Sequence, residues 1–208
     1  MEPILQLEGD QGVSTSGGSV TGWADGSGNG NDLSANGAPT LATNATPSGQ
    51  SAISFDGVDD ELVRTGALTG FPTGASDRTI LVVTKYDSTG FGGVAYGRTK
   101  CNKAFGTVVN GQGDLTLQGW CPTNDFPSTT AGTGAGWLVQ SIVLEGNTYT
   151  HYNDGAQIDS GTHTFDTGAA KLSIGSELSS PPYLDTEVAA VYVYDQALTD
   201  TERQQLES

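Results

Sequence analysis

Basic side chains are scarce in this sequence, and long apolar runs are missing. Of its 208 residues, 8 are Lys or Arg and 24 are Asp or Glu, which gives a formal net charge of −16. A chain with this charge repels phosphate groups, which excludes nucleic acid as a partner. No segment reaches the roughly 20 consecutive apolar residues of a membrane helix, which excludes membrane insertion.

Sulfur is also scarce, with two cysteines and one methionine. Cys101 and Cys121 lie among Gly, Asn and Thr residues, which offer little apolar surface for burying free thiols. We therefore predict a disulfide, which would close a loop of about 20 residues and contribute about 3 kcal/mol. A pair of buried thiols is the alternative. The two histidines, His151 and His163, lack the spacing of zinc ligands relative to these cysteines.

The start of the chain, Met1-Glu2-Pro3-Ile4, lacks the basic and apolar segments of a signal peptide. Either the protein is cytoplasmic, or the sequence is a domain excised from a longer protein and given a start methionine. A disulfide belongs to an oxidising compartment. We therefore expect an extracellular or cell-surface domain that is a monomer within a multidomain parent.

Glycine is abundant, at 30 residues, and it separates short runs of strand-forming residues. This rhythm is typical of a β-sandwich or barrel. Turns at Glu145–Asn147 and Asn153–Gly155 predict two hairpins, because these residues tolerate the positive φ of tight turns. The predicted strands are Ala52–Phe55, Thr79–Tyr86, Ala104–Val109, Leu115–Gly119, Trp137–Leu144, Thr148–Tyr152, Ala156–Ser160, Lys171–Ile174 and Glu187–Tyr194.

The two ends of the chain differ from this pattern. The Gly-rich first 50 residues predict one short strand near Ile4–Leu7, followed by loops that Trp23 anchors in the core. Near the other end, Thr199 and Glu202 form a capping box. This predicts a short helix that ends at about Leu206.

Three segments in order resemble one known family: Trp23–Asp32 (WADGSGNGND), Ile53–Asp60 (ISFDGVDD) and Val191–Arg203 (VYVYDQALTDTER). They resemble the laminin-G-like domains of the concanavalin A-like lectin/glucanase superfamily, in particular bacterial members. The resemblance spans nearly the whole chain. It implies an all-β fold, a two-sheet antiparallel jelly-roll sandwich with one short C-terminal helix, formed by residues 1–208 as a single domain.

A candidate sugar-binding patch lies beside the predicted disulfide. Tyr96, Arg98 and Lys100 lie within five positions of one another, and the bridge would bring Trp120 and Asp125 close to them. An aromatic ring can pack on the CH face of a sugar, while guanidinium and carboxylate groups bind its hydroxyls. The alternative is that Trp120 is a core residue and the basic side chains only solubilise a loop.

His151 is a further candidate ligand-binding residue. Tyr149 and His151 alternate on one predicted strand and therefore point to the same face. A Tyr/His pair can supply the base and acid of a polysaccharide lyase. A surface histidine on an edge strand is the ordinary alternative.

Two acidic segments are candidate metal sites. Asp56, Asp59 and Asp60 would repel one another unless a hard cation such as calcium lay between them; a solvated turn is the alternative. The segment Asp25–Asp32 partly resembles an oxygen-rich calcium loop, but Asn36 stands where a bidentate Glu is expected. For both segments we favour a structural turn, and Asp56, Asp59 and Asp60 are the candidate metal ligands.

Together these features predict a non-catalytic carbohydrate-recognition domain of a larger secreted protein. Its partner would be a polysaccharide or glycan, and calcium is its candidate cofactor. The family to which the resemblance points also includes adhesion domains and, more distantly, glycosidases and lyases, and a fold does not fix an activity. A small polysaccharide-degrading enzyme and a protein-adhesion domain are therefore the alternatives.

Overall fold

A computed structural model describes residues 2–208, which form 17 β-strands and one α-helix. The elements are β1 (Leu5–Glu8), β2 (Val13–Ser16), β3 (Ser19–Trp23), β4 (Leu33–Asn36), β5 (Thr40–Ala42), β6 (Ala52–Asp56), β7 (Glu61–Thr65), β8 (Arg78–Tyr86), β9 (Gly92–Gly97), β10 (Ala104–Val109), β11 (Asp114–Gln118), β12 (Asp125–Ala131), β13 (Trp137–Glu145), β14 (Thr148–Asn153), β15 (Ala156–Thr162), β16 (Lys171–Ser176), β17 (Asp185–Tyr194) and α1 (Asp200–Glu207).

The strands form two antiparallel layers. In the first layer the order is β15–β14–β13–β8–β17, and the far side of β17 pairs with β6 along its first half and with β1 along its second. The second layer has the order β4–β7–β16–β9–β10–β11–β12. Strand β3 pairs with β4 and with β5, so the ladder curves from one layer into the other and is nearly closed. The predicted all-β sandwich is confirmed.

The hydrophobic core lies between the layers, because alternate side chains of each strand point inward. Ile80 and Val82 of the first layer belong to the same buried cluster as Tyr96 and Phe105 of the second. The residues between them point to the two outer faces of the sandwich. Those faces carry the surfaces described below.

The longer apolar runs fold as predicted. Every run predicted as a strand overlaps a strand, and the turns at Glu145–Asn147 and Asn153–Gly155 connect β13 to β14 and β14 to β15. Gly146 and Asp154 in these turns have φ of 58° and 48°. The positive φ that motivated the hairpin prediction is therefore present.

The prediction of loops after the first strand is wrong, since β2, β3, β4 and β5 lie there. Strands β2, β4 and β5 have three or four residues each, and most of these are exposed or half-buried. In β3 the buried residues Val20 and Trp23 are three positions apart, so β3, like β2 and β5, lacks the alternation of apolar and polar residues that marks a half-buried strand. In β4 the alternation extends over only four residues. Trp23 does anchor the region as expected. It is 1% exposed, and its Nε1–H donates to the carbonyl oxygens of Glu8 (3.0 Å) and Gln11 (3.2 Å).

Helix α1 packs on the outer face of the first layer. The Thr199/Glu202 capping box is present at its start. Arg203 lies over the ring of Tyr152 at 3.6 Å and pairs with Glu207 at 2.6 Å. Among residues 2–208, no helix combines the length and the apolar character needed to cross a membrane.

Candidate functional site

A disulfide and a carboxylate fix the turn that carries Trp120. Cys101 and Cys121 form the predicted disulfide, with their Cα atoms 5.1 Å apart. Asp125 Oδ1 accepts hydrogen bonds from the backbone N–H groups of Gly119 (3.1 Å) and Trp120 (2.9 Å). Trp120 and Cys121 have φ of 74° and 77°, which non-glycine residues rarely adopt. The covalent bridge and the two hydrogen bonds therefore hold a backbone shape that local sequence does not favour.

The indole ring of Trp120 lies on the outer face of the second layer. It is half-buried and packs against a small apolar cluster that includes Ala95, Val108 and Leu178. Ala95 alternates along β9 with the core residue Tyr96, so this cluster lies on the face away from the core. The exposed part of the ring is available to stack on a flat ligand.

Three polar side chains, Gln118, Glu177 and Asp125, lie beside the Trp120 turn. Gln118 is 1% exposed, and its Nε2 donates to Glu177 Oε1 at 3.1 Å. The Oε1 atom of Gln118 has no hydrogen-bond partner among the described residues. A buried acceptor without a partner costs free energy, which a ligand hydroxyl or a water molecule would recover.

The two carboxyl groups at this site titrate above their ordinary range. Burial, together with the charge of Glu177, raises the pKa of Asp125 to about 6, against the hydrogen bonds from Trp120 and Gly119, which lower it. Burial also raises the pKa of Glu177, against the hydrogen bonds from Ser179 and Gln118. Near pH 6 Asp125 can therefore take up a proton, so that the site offers a donor as well as acceptors to a sugar hydroxyl.

Arg98 and Lys100 are exposed on the loop between β9 and β10, which the disulfide ties to the Trp120 turn. The backbone N–H of Asn102, in the same loop, donates to the carbonyl oxygen of Trp120 at 3.3 Å. The side chain of Arg98 approaches the backbone of Gly168. The disulfide thus ties the loop that carries both basic residues to the Trp120 turn, and the Arg98 side chain itself packs on Gly168.

The structure does not place Tyr96 or His151 at this site, in contrast to the predicted set of ligand-binding residues. Tyr96 is buried in the core, where its hydroxyl accepts from Arg78 (2.9 Å) and donates to the carbonyl oxygen of Pro72 (3.1 Å). His151 is also buried, with Nε2 3.4 Å from Gln140 Oε1. Neither side chain can reach a ligand at the surface. The expectation of a surface histidine is wrong as well.

The acidic cluster after β6 could hold a metal ion. One carboxylate oxygen from each of Asp56, Asp59 and Asp60 lies within 4.8 Å of the others. Asp60 is buried and accepts from the backbone N–H groups of Ala38 (2.6 Å) and Asp56 (3.2 Å). Burial raises the pKa of Asp60, those two hydrogen bonds lower it, and the charges of Asp56 and Asp59 raise it again. The repulsion that motivated the metal prediction is thus present.

The Asp25 loop is a structural turn, as favoured above. The carboxylate of Asp25 accepts hydrogen bonds from the backbone N–H groups of Gln6 (3.1 Å), Ser27 (2.9 Å) and Asn31 (3.1 Å). These bonds account for the position of the Asp25 carboxylate as part of a turn.

Sequence reasoning missed Gln118 and Glu177. Gln118 shares its strand with the core residue Leu117 and alternates with it, a signal that could have assigned it to the outer face. Glu177 comes from the segment between β16 and β17, which crosses the outer face and contributes Leu178 to the apolar cluster. No local pattern marks that crossing.

Comparison with solved structures finds the same fold in several proteins. Domain 4 of an extracellular arabinanase from Geobacillus stearothermophilus, solved in complex with arabinotriose, has a TM-score of 0.72 and 16% identity, and the match covers 100% of this chain and 98% of that one. The binding domain of Paraclostridial Mosquitocidal Protein 1 has a TM-score of 0.71 and 14% identity over 99% of this chain. Trypanosoma rangeli sialidase in complex with sialic acid has a TM-score of 0.68 and 15% identity over 98% of this chain.

The chain spans 52% of the mosquitocidal protein's binding domain and 32% of the sialidase chain. No protein-family model matches the sequence. No curated protein matches it either. At these identities the likeness shows the fold alone.

Proposed function

We propose that this chain is a non-catalytic, laminin-G-like carbohydrate-recognition domain of a larger secreted protein, and that it binds glycan at the Trp120 site. The observation that carries this proposal is the half-buried indole of Trp120 beside the buried Gln118, whose Oε1 has no partner among the described residues. A stacking surface next to an unsatisfied acceptor is what a sugar ring with hydroxyl groups would complete.

The site would bind the apolar and the polar surfaces of a sugar with different side chains. The CH face would pack on the indole, where removing apolar area from water contributes binding free energy. The hydroxyls would bind Gln118 Oε1 and the carboxyl groups of Asp125 and Glu177. Arg98 and Lys100, on the loop that the disulfide ties to the Trp120 turn, would favour a ligand that carries some negative charge.

Two further features support the proposal. The domain of the arabinanase that shares this fold over its full length was solved with arabinotriose and belongs to an extracellular enzyme. The disulfide suits the same compartment. The burial of His151 removes the base that the lyase alternative required.

We also propose that Asp56, Asp59 and Asp60 bind calcium. Their carboxylates are hard oxygen ligands, which calcium prefers, and a bound cation would offset their repulsion. The ion would stabilise the β6–β7 turn; no step of sugar binding is assigned to it.

The glycan proposal is tested by affinity electrophoresis of the wild-type protein and of Trp120→Ala in gels that contain linear arabinan, mixed-linkage β-glucan or polygalacturonate. We expect at least one polymer to retard the wild type. Trp120→Ala should weaken that binding about tenfold or more, since burying a large aromatic side chain contributes roughly 1.5–3 kcal/mol. Trp120→Phe is the matched control and should keep part of the affinity.

Circular dichroism would establish that the variants fold. Equal retardation of Trp120→Ala and wild type by every polymer would rule out the Trp120 site. If no polymer retards the wild type with or without calcium, the carbohydrate proposal fails and protein adhesion becomes the better interpretation.

A further inference from the structure

Three adjoining clefts cross the outer face of the first layer, on the other side of the sandwich from Trp120. Clefts of about 450 and 210 Å³ share the lining residues Gln50, Ala190 and Tyr192. A third cleft of about 600 Å³ shares Val139 and Glu207 with the larger of these two. The three clefts therefore adjoin one another across this face, and together they are called the groove below.

Four neighbouring strands supply the floor of this groove. Val139 of β13 pairs with Val83 of β8, which pairs with Ala190 of β17, which pairs with Glu8 of β1. The groove therefore runs across the strands for about 14 Å, at about 4.8 Å per strand. Three of the four residues in this row are apolar, although they lie on the solvent side of the sheet. A groove of this length suits an oligomeric ligand rather than a single small ring.

Two aromatic rings line the groove, and their polar ends are already fixed. The Nε1–H of Trp137 donates to the carbonyl oxygen of Ala45 at 3.0 Å, and the hydroxyl of Tyr192 donates to Glu8 Oε1 at 2.6 Å. Both rings are half-buried, so each keeps an exposed part. Rings held in place before a ligand arrives lose little conformational freedom on binding, which favours affinity.

The polar rim of the groove is acidic or neutral. Its side chains include Glu8, Asp10, Gln11, Gln50 and Glu207. Among the described residues that line the three clefts there is no Lys or Arg. This rim offers hydrogen bonds to hydroxyl groups and repels carboxylates, sulfates and phosphates.

The lysine nearest to the groove by strand register is already engaged. Lys85 pairs with Trp137 across β8 and β13. Its Nζ lies 2.7 Å from Asp87 and 3.0 Å from Glu187. Lys85 therefore does not supply a free positive charge to an acidic ligand.

We propose that this groove is a second glycan-binding site, which takes a segment of an uncharged polysaccharide across the rings of Trp137 and Tyr192. The apolar row and the two rings match the CH faces of sugar rings, and the rim matches their hydroxyls. The difference in charge separates this site from the Trp120 site, whose turn the disulfide ties to the loop of Arg98 and Lys100. A result that contradicts one of the two sites does not contradict the other.

The test uses affinity electrophoresis with linear arabinan, mixed-linkage β-glucan and polygalacturonate, on wild type, Trp120→Ala, Trp137→Ala and the double variant. At least one neutral polymer should still retard Trp120→Ala. Adding Trp137→Ala should reduce that retardation at least tenfold. Trp137→Phe, which keeps a ring, should lose less. Tyr192→Ala is the second probe of the groove, to be used if Trp137→Ala does not fold.

Two results would overturn the second site. One is equal retardation of Trp137→Ala, Tyr192→Ala and wild type by every neutral polymer that binds. The other is retardation of the wild type by polygalacturonate alone. In that second case a loss of binding in Trp120→Ala would leave the proposed function standing, so the two failures can be told apart.

Discussion

His151 lies in the interior between the two layers with one ring nitrogen unpartnered. Its Nε2 is 3.4 Å from Gln140 Oε1, an atom that also accepts a hydrogen bond from Thr107 at 2.5 Å, and its Nδ1 has no partner among the described residues. Burial lowers the pKa of His151 to about 3. The side chain is therefore neutral in the folded protein at every pH near neutrality.

This burial makes stability depend on acidity with a definite sign. Between pH 6.5 and 3 the unfolded chain binds a proton at His151 that the folded chain does not, so the free energy of unfolding falls as the pH falls. We expect His151 to lower it by up to about 1.4 kcal/mol per pH unit below 6.5. Urea unfolding of wild type and His151→Gln from pH 7 to 5 measures the effect, and the variant should lose less stability than wild type.

Wild type has to be compared with His151→Gln because other groups also change their protonation as the pH falls from 7 to 5. The raised pKa values of Asp125 and Glu177 act in the opposite direction, since those groups bind protons more readily when folded. His163, whose pKa burial also lowers, provides the control variant His163→Gln. A difference between wild type and His151→Gln that stays constant from pH 7 to 5 would contradict the assignment.

At the level of elements, the Cys101–Cys121 bridge joins the β9–β10 loop to the turn after β11. The double variant Cys101→Ser/Cys121→Ser should lose up to about 3 kcal/mol of stability, because the unfolded chain regains the freedom of the closed loop. It should also lose affinity at Trp120, whose positive φ the bridge helps to hold. Denaturant unfolding and affinity electrophoresis measure the two effects.

The groove on the opposite face supplies the internal control for the bridge. Binding that depends on Trp137 should survive removal of the disulfide, since no part of that groove comes from the bridged loops. A double variant that keeps full affinity at Trp120 would show that Asp125 alone holds the turn.

Local sequence predicts an element well where burial imposes a strong pattern. The runs in β8, β10, β13 and β17 are predicted to within two residues, because each of these strands has a buried residue at least at every second position. Strands β2 to β5 are not predicted because they are only three to five residues long, and in β2, β3 and β5 the few apolar residues do not alternate with polar ones. Their pairing depends on tertiary contacts that a local window does not contain.

The same reasoning explains which parts of the site could be predicted. Alternation predicts that Tyr149 and His151 share a face, and both are buried. It does not say which face turns inward, so His151 and Tyr96 were assigned to the surface when they lie in the interior. Trp120 and Asp125 are predicted together because only five positions separate them and the disulfide joins their turn to the loop of Arg98 and Lys100. Glu177 is 59 residues from Gln118 and carries no signal of its own.

At the scale of the whole molecule, the formal charge of −16 should make stability depend on salt. The ion pairs engage Lys85, Lys103, Lys171 and Arg203, which leaves most of the 24 acidic groups to repel one another. The Debye screening length falls from about 30 Å at 0.01 M to about 3 Å at 1 M ionic strength. We expect choline chloride from 0.02 to 0.5 M to raise the Tm by a few degrees, since about 1 kcal/mol shifts a domain of this size by about 2–4 °C.

Calcium should act on the same molecule in a different way. Screening depends on ionic strength alone, whereas an ion bound by Asp56, Asp59 and Asp60 stabilises the folded state by mass action at millimolar concentration. At matched ionic strength, calcium chloride should therefore raise the Tm of wild type beyond choline chloride. Asp59→Asn, an exposed substitution, should remove that excess and leave the choline response intact. Differential scanning calorimetry distinguishes charge screening from calcium binding. A Tm that does not change with choline chloride would contradict the predicted repulsion. Identical Tm values in the two salts at matched ionic strength would contradict a calcium site.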